Sequence, residues 1–201
     1  MEKVVVTGST GFIGRHLVER LKRDKFDVVE YTRTSHPQSC SRIYHLACPS
    51  SNDFISNHTQ YVMDAIMDVT RQAMNIDPMA LFINASSMGA ADVVDTRQGA
   101  YNIAKRCMES YLKYSRTAFI NYRIPSVYGE GMHDDAFIKR CVDGNAYVPT
   151  SPDTMHHIAH ISEVVDAMVT LRPIVVEHIT LGQIYELFNS GRRGLHRPES
   201  H

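Results

Sequence analysis

A tyrosine and a lysine four residues apart, Tyr101 and Lys105, have the types and spacing needed for shared proton chemistry. In a helix, that spacing puts both side chains on one face. A phenol titrates at about 10, which is too high for a base at neutral pH, and a neighbouring ammonium favours the phenolate. We therefore expect Lys105 to lower the pKa of Tyr101 and to make the phenol a general acid or base.

Two serines follow an apolar segment upstream of this pair. Residues Leu81–Ala85 have the composition of a buried strand, and Ser86 and Ser87 come directly after it. A hydroxyl at the carboxyl end of a strand can polarise the substrate oxygen with which a tyrosine exchanges a proton. Either serine can take this role.

The amino-terminal segment has the pattern of a pyrophosphate-binding loop. A strand at Lys3–Thr7 leads into Gly8, Gly11 and Gly14, and a helix is predicted from about Ile13 to Lys22. The glycines allow a tight turn, close approach of the backbone to a phosphate and close packing of the helix, whose amino terminus attracts anions. The alternative is a glycine-rich turn that binds nothing.

The end of the second predicted strand bears on which dinucleotide is bound. In such folds an acidic residue there accepts a hydrogen bond from the adenosine ribose and favours NAD. Here Asp27–Tyr31 is followed by Thr32 and Arg33. A guanidinium suits a 2′-phosphate, so the sequence favours NADP over NAD. The alternative makes Arg33 a surface charge and brings Glu30 to the ribose, although Glu30 comes two positions early.

Strands and helices alternate along the first part of the chain, which predicts a doubly wound α/β fold with a parallel sheet. Only ten residues separate Thr32 from Ile43, too few for the third strand and helix of a typical Rossmann half. The strands are predicted at Lys3–Thr7, Asp27–Tyr31, Arg42–Leu46, Leu81–Ala85 and Ala118–Arg123. The helices are predicted at Ile13–Arg23, Gln60–Asn75, Tyr101–Tyr114, Asp134–Val142, Ser162–Leu171 and Thr180–Phe188.

Composition and charge limit the class of protein. The 201 residues are 43% hydrophobic and carry 21 basic and 22 acidic side chains, which gives no electrostatic basis for binding nucleic acid. No apolar run predicts a membrane span, so we expect a cytoplasmic protein. We predict a dinucleotide-binding domain over residues 1–125, a small substrate-binding lobe over 126–190 and a flexible tail over 191–201.

Taken together, these motifs resemble the extended branch of the short-chain dehydrogenase/reductase superfamily, the NAD-dependent epimerase/dehydratase family. The opening spacing is G-x-x-G-x-x-G, and Tyr101 and Lys105 fit the Y-x-x-x-K of its Ser–Tyr–Lys triad. By that resemblance Ser87 assists, Tyr101 is the general acid/base, and Lys105 tunes it and holds the cofactor; Ser86 is the alternative to Ser87. Further matching segments are Ile43–Pro49, Tyr122–Gly129 and His160–Ala167.

The resemblance also implies binding residues. Those expected to hold the cofactor are Gly8, Thr10, Gly11, Phe12, Ile13, Gly14, Thr32, Arg33, Leu46, Ala47, Lys105 and Ile124. Ser126 and His156 are expected at the substrate, in places where the family commonly has Asn and Arg. The family also implies a homodimer formed through a four-helix bundle, which the methionines of the helix at Gln60–Asn75 would suit.

Departures from the family pattern narrow the reaction. Ser87 is followed by Met88, Gly89 and two alanines, so the carboxylates that dehydratases and decarboxylases use there are missing. The resemblance therefore implies an epimerase or keto-reductase that acts on a nucleotide-activated sugar. The alternative is a non-catalytic dinucleotide-binding protein that senses redox state or serves as a scaffold.

Three histidines, His156, His157 and His160, fall within five positions, a spacing that can bind a metal. No cysteine or carboxylate lies at ligand spacing beside them, so we predict no metal site. The cysteines Cys40, Cys48, Cys107 and Cys141 lack C-x-x-C spacing and are expected to be reduced thiols.

Overall fold

The computed structural model describes residues 1–32, 34–35, 39–48, 59–91, 99–115, 117–134, 136–191 and 193–195. The chain divides into two compact units, Met1–Ile124 and Pro125–His201. The functions predicted for these regions, a cofactor domain, a substrate lobe and a tail, stay predictions.

The first unit is built on a five-stranded parallel sheet. Its strands are β1 (Lys3–Thr7), β2 (Asp27–Tyr31), β3 (Arg42–His45), β4 (Leu81–Ser87) and β5 (Phe119–Ile124), in the order β2-β1-β3-β4-β5. The helices are α1 (Phe12–Arg23), α2 (Thr59–Met74) and α3 (Gly99–Tyr114), with a short 3-10 turn at Met88–Ala90. This alternation of strands and helices is the predicted Rossmann-type α/β fold.

The link from β2 to β3 is short, as the sequence predicts. Strand β1 pairs in parallel with both β2 and β3, so the chain crosses β1 between residues 31 and 42. Parallel strands are usually joined by a dozen or more residues that contain a helix. The described residues of this link contain no helix or strand, which agrees with a trimmed third βα unit.

One face of the sheet carries a core shared by α2 and α3. Val5, Ile43 and Phe82 lie side by side on neighbouring strands and are fully buried. They pack with residues of both helices that recur at helical spacing: Val62, Ile66, Ala73, Met74, Ala104, Met108 and Leu112. The same α3 that carries the Tyr–Lys pair is therefore held against the sheet by its apolar face.

The second unit contains a three-stranded sheet. Strands β6 (Ser126–Tyr128), β7 (Met155–His160) and β8 (Glu177–Thr180) lie in that order, with β6 parallel and β8 antiparallel to β7. Its helices are α4 (Phe137–Val142), α5 (Ile161–Thr170) and α6 (Leu181–Asn189). Helix α4 begins three residues later than the predicted Asp134.

Within the described part of the chain, no helix combines the length and the apolar character needed to cross a lipid bilayer. The cytoplasmic location stays a prediction.

Candidate active site and dinucleotide loop

The glycine loop is a tight turn into which side chains do not fit. Gly8 has φ +70°, and a Cβ there would lie 2.6 Å from the amide nitrogen of Ala47. A Cβ on Gly14 would lie 2.0 Å from the carbonyl oxygen of Gly8. The Gly11 amide donates to that carbonyl at 3.1 Å and closes the turn. Gly8 and Gly14 are therefore fixed by backbone packing.

Helix α1 begins directly after this turn, so its first backbone amides lie beside the glycines. Its N-cap, Gly11, supplies no side-chain cap, and its first turn contains no acidic residue. The first amides of a helix and its positive dipole end favour a negatively charged group. A cradle without side chains, followed by uncapped amides, fits the pyrophosphate of a dinucleotide. Thr10, Phe12 and Ile13 are part of this segment.

A threonine holds the segment that follows β3 beside the glycine loop. The hydroxyl of Thr7, the last residue of β1, accepts hydrogen bonds from the amides of Leu46 and Ala47, both at 3.2 Å. This keeps the Leu46–Ala47 link beside Gly8, where the dinucleotide-binding residues were predicted.

Hydroxyls dominate the described residues at the end of β2. The Thr32 hydroxyl lies 3.0 Å from that of Thr34 and 2.9 Å from that of Ser35. Glu30, the alternative ribose contact, pairs with Lys22 at 2.7 Å, and this interaction holds the pKa of its carboxyl below its usual value. Arg33, on which the NADP prediction depends, lies outside the described residues.

Lys105 connects α3 to the end of β4. Its side chain is buried, 3% exposed, and its ammonium donates to the carbonyl oxygen of Ala85 at 2.6 Å. Ala85 precedes both candidate serines, so this bond brings the lysine to the strand end that carries them. None of the carboxylates in the described residues pairs with this ammonium.

The predicted effect of Lys105 on Tyr101 is wrong in this arrangement. The ammonium lies 5.6 Å from the centroid of the Tyr101 ring and bonds to Ala85 and Cys48. Burial raises the pKa of Tyr101, and a hydrogen bond with Cys48 raises it further. Burial favours the uncharged phenol, because a phenolate would lose its hydration there. The structure therefore keeps the Tyr101 phenol in its protonated form.

Cys48 is the residue of this cluster that sequence reasoning missed. Burial raises the pKa of its thiol, while hydrogen bonds with Lys105 and Tyr101 act in the opposite direction. Its place directly after the predicted cofactor segment Leu46–Ala47 was the available signal, but Cys48 was interpreted only as one of four scattered thiols.

Strand β4 runs two residues beyond its predicted end, and this separates the two serines. As strand residues, Ser86 and Ser87 point to opposite faces of the sheet. Ser86 is buried, 3% exposed, and donates to Glu109 of α3 at 2.5 Å; Glu109 also accepts two bonds from Arg123. Ser86 is therefore part of a structural cluster that the sequence did not reveal.

Ser87 keeps a hydroxyl hydrogen available. Its oxygen accepts a bond from the Gly89 amide at 3.2 Å and caps the short turn that follows β4. An acceptor role in that bond leaves the hydroxyl hydrogen for a substrate oxygen. Ile124, a predicted cofactor contact, lies opposite Ser87 in the β4–β5 register and is buried.

The two predicted substrate residues of the second unit contact each other. The Ser126 hydroxyl lies 2.8 Å from Nε2 of His156. Burial lowers the pKa of His156, with a smaller contribution from His157, so the ring is neutral at neutral pH. The cationic arginine of the family is thus replaced by a neutral hydrogen-bonding pair.

The neighbouring histidines have other partners. The His157 ring packs edge-on against that of His178 at 4.7 Å, and Nε2 of His160 lies 3.0 Å from the carbonyl oxygen of Leu195. Among the residues that the structure describes, no group of three or more His, Cys, Asp or Glu side chains is arranged to hold a metal ion.

Arg193, which lies in the predicted tail, contacts both β8 and α6. Its guanidinium pairs with Glu177 at 2.7 Å and lies 5.8 Å from the centroid of the Phe188 ring. Arg193 therefore packs against β8 and α6 of the second unit.

Comparison with known proteins identifies a family that the amino-terminal part of the chain resembles. Residues 4–96, which run from β1 past Ser87, match the sequence model of the NAD dependent epimerase/dehydratase family. Over this segment, which is a little under half of the chain, the protein is similar to that family. A curated relative is the CDP-abequose synthase of Salmonella typhimurium, which is 24% identical over 208 residues and aligns with 85% of this chain and 70% of its own length.

Solved structures show the same fold. TunA, an NAD-dependent NDP-hexosamine 5,6-dehydratase involved in tunicamycin biosynthesis, superimposes with a TM-score of 0.76 at 17% identity, over 96% of this chain and 82% of its own. The UDP-glucose 4-epimerase of Thermus thermophilus, solved with NAD, gives 0.72 at 16% identity, over 94% of this chain and 82% of its own.

Proposed function

We propose that this protein is a member of the epimerase/dehydratase family and a dinucleotide-dependent oxidoreductase that acts as an epimerase or keto-reductase on a nucleotide-activated sugar. One observation carries the proposal: the bond from Lys105 to Ala85 joins the Tyr–Lys pair of α3 to the strand end that bears Ser87. A tyrosine, a lysine and a serine brought to one strand end are the groups that proton transfer at a carbonyl or hydroxyl carbon requires.

The cofactor is held by backbone more than by side chains. We assign the pyrophosphate to the glycine loop and the first amides of α1, and the adenosine ribose to the hydroxyl of Thr32. Lys105 has donors beyond its bond to Ala85 and can hold a ribose hydroxyl. A bound nicotinamide dinucleotide supplies the hydride acceptor and donor.

We propose NAD as the preferred cofactor, in place of the NADP that Arg33 suggested. The family is described as NAD dependent, and the Thermus epimerase is an NAD complex. Thr32, Thr34 and Ser35 form a cluster of hydroxyls at the end of β2 that suits an unphosphorylated ribose.

Tyr101 acts as the proton donor in this proposal. Its raised pKa keeps the phenol protonated, which is the form that protonates a carbonyl oxygen as that oxygen gains charge. The hydroxyl of Ser87 polarises the same oxygen. This direction is keto-reduction, and epimerisation includes the same step in its second half.

The substrate class is supported by relatives and by the second unit. The Salmonella relative is named for a CDP-sugar, and TunA for an NDP-hexosamine. We propose that Ser126 and His156 bind the polar part of the substrate by neutral hydrogen bonds. Without a cationic side chain there, we expect weaker retention of a free nucleoside diphosphate than of the complete sugar nucleotide.

We also propose a homodimer through α2 and α3. Ile103, Cys107, Tyr111 and Tyr114 recur at helical spacing on α3 and are all exposed. On α2, Tyr61 is 67% exposed and Met63 36% exposed. Apolar side chains on adjoining helices are typical of a surface that another copy covers.

The central test is a Tyr101→Phe variant, with Tyr111→Phe on the same helix as the control. We expect Tyr101→Phe to lower kcat by about 10²- to 10⁴-fold on keto-sugar nucleotides. Binding of NADH, measured by its fluorescence, should be retained in both variants and should be tighter than binding of NADPH. Wild-type protein that binds NADH but turns over none of the keto-sugar nucleotides tested would contradict the proposal.

That outcome would favour the second candidate, a non-catalytic dinucleotide-binding protein. The observation behind it is the raised pKa of Tyr101, since a buried phenol bonded to a thiol is not activated as a base. Thermal stabilisation by the dinucleotide alone, with no further shift from any sugar nucleotide, is its signature.

A further inference from the structure

A buried imidazole lies between the glycine loop and helix α2. His45, the last residue of β3, is 2% exposed. Its Nδ1 lies 2.9 Å from the hydroxyl of Thr7, and its Nε2 lies 3.1 Å from the hydroxyl of Thr70 on α2. Thr70 is 0% exposed, so neither ring nitrogen is bonded through bulk solvent. The ring therefore connects β1 to α2 through the interior.

The direction of each hydrogen bond in this series, from Thr70 through His45 to Thr7, follows from the groups at its two ends. The Thr70 hydroxyl donates to the carbonyl of Ile66 at 2.7 Å, and a carbonyl oxygen can only accept. Thr70 therefore has only lone pairs left for His45, and Nε2 must carry the proton. Nδ1 of the neutral ring is then an acceptor, and it takes the single hydrogen of Thr7.

Thr7 completes the chain at the dinucleotide loop. With its hydrogen given to His45, its oxygen has two lone pairs, and these accept the amides of Leu46 and Ala47. A Cβ on Gly8 would lie 2.6 Å from one of these amides, so the loop packs directly on the bonded segment. The Leu46 amide also donates to the backbone carbonyl of Thr7 at 3.2 Å, whereas the bond of the Ala47 amide goes to the Thr7 hydroxyl.

A network of this kind fixes geometry because a broken link leaves a buried polar group without a partner. If the Thr70 hydroxyl is removed, Nε2–H of His45 has no acceptor among the described residues around it. The ring is then free to turn or to change tautomer, and Thr7 can lose its acceptor. The Leu46–Ala47 segment would no longer be held in one position against Gly8.

We infer that His45 and Thr70 are positioning residues for dinucleotide binding: through Thr7 they hold the Leu46–Ala47 segment against the glycine loop. The inference rests on the proposed function only for the identity of the ligand. It assigns a role to helix α2 that packing alone does not give it, since Thr70 lies on α2, away from the loop along the chain.

The test compares substitutions at Thr70 with a matched control. Thr70→Val keeps the shape and removes the hydroxyl, whereas Thr70→Ser keeps the hydroxyl. Thr170→Val is the control, because the Thr170 hydroxyl donates to the Asp166 carbonyl at 2.6 Å, the same bond one turn back in another helix. Two quantities are measured well below the melting temperature: hydrogen exchange at the Leu46 and Ala47 amides, and the Kd for NADH.

We expect Thr70→Val to speed exchange most at the Ala47 amide, because the Leu46 amide keeps its bond to the Thr7 carbonyl. The Kd should rise by about three- to tenfold, as loss of one buried hydrogen bond implies. Thr70→Ser and Thr170→Val should stay near wild type in both measurements. His45→Phe should raise the Kd at least as much, and adding Thr70→Val to it should have no further effect.

Wild-type exchange at Leu46 and Ala47 in Thr70→Val would overturn the inference, even if the melting temperature fell. If wild-type protein binds neither NADH nor NADPH, the proposed function fails, and the exchange rates alone then decide the role of the two residues. The result does not depend on His45→Phe folding, because the Thr70 variants carry the test.

Discussion

Residues of one type acquire different roles in this protein according to what surrounds them. Ser86 and Ser87 are adjacent, yet Ser86 donates a hydrogen bond to Glu109 of α3, whereas the Ser87 oxygen accepts one from the Gly89 amide. Tyr101 illustrates the same point with charge. A lysine four residues away was expected to dominate its pKa, but burial and Cys48 raise it.

The two serines give a matched pair of variants. We expect Ser87→Ala to lower kcat by about 10- to 10³-fold with little change in stability, because its hydroxyl is assigned to the substrate oxygen. Ser86→Ala should keep most of the activity and lower the free energy of unfolding by about 1–2 kcal/mol, since Glu109 loses a buried donor. Steady-state kinetics and urea unfolding measure the two effects. The opposite pattern would make Ser86 the assisting residue.

At the level of elements, helix α3 has two working faces. Its buried face packs on the sheet through Ala104, Met108 and Leu112 and brings Lys105 to the end of β4. Its outer face carries exposed apolar residues, and Tyr61 and Met63 of α2 are exposed as well. The methionines of α2 differ in exposure: Met74 is buried and Met63 is partly exposed.

The outer face predicts an effect on assembly. We expect Tyr111→Glu, which puts a charge on this face, to shift sedimentation equilibrium from dimer to monomer while the monomer stays folded. Tyr147→Glu is the matched control, because Tyr147 is 84% exposed and belongs to the second unit. Wild-type protein that sediments as a monomer at high micromolar concentration would exclude the proposed dimer.

Across the whole molecule, the buried histidine makes stability depend on pH. Burial, with a smaller contribution from Lys105, lowers the pKa of His45 from 6.5 to about 3. The unfolded chain therefore takes up a proton near pH 6.5 that the folded chain refuses until about pH 3. The contribution to stability is complete above pH 6.5 and is lost as pH falls towards 3.

Between pH 6.5 and pH 3, we expect the titration of His45 to lower the free energy of unfolding. The decrease should be up to about 1.4 kcal/mol for each unit by which the pH falls. Urea unfolding at pH 7, 5 and 4 measures the slope, and His45→Phe should show a shallower one. His156 and the carboxyls with lowered pKa contribute equally to both proteins and cancel in the difference. Equal slopes would mean that the ring titrates normally in the folded protein.

Much of this architecture can be read from the sequence because it depends on local patterns. Strands β1 and β2 begin and end where they were predicted, since apolar runs bounded by Gly or Thr specify a buried strand without reference to distant residues. Strand β4 was predicted two residues too short, because small polar residues such as Ser86 and Ser87 carry little strand signal.

By itself the sequence determined the glycine loop, the parallel α/β order, the short link before β3 and the pairing of Tyr101 with Lys105. Each of these depends on spacing along the chain. Only the tertiary structure decided that Ser86 bonds to Glu109, that Cys48 bonds to Tyr101, and that His45 joins Thr7 to Thr70. These contacts join residues far apart in sequence, and their energies depend on burial, which a linear pattern does not contain.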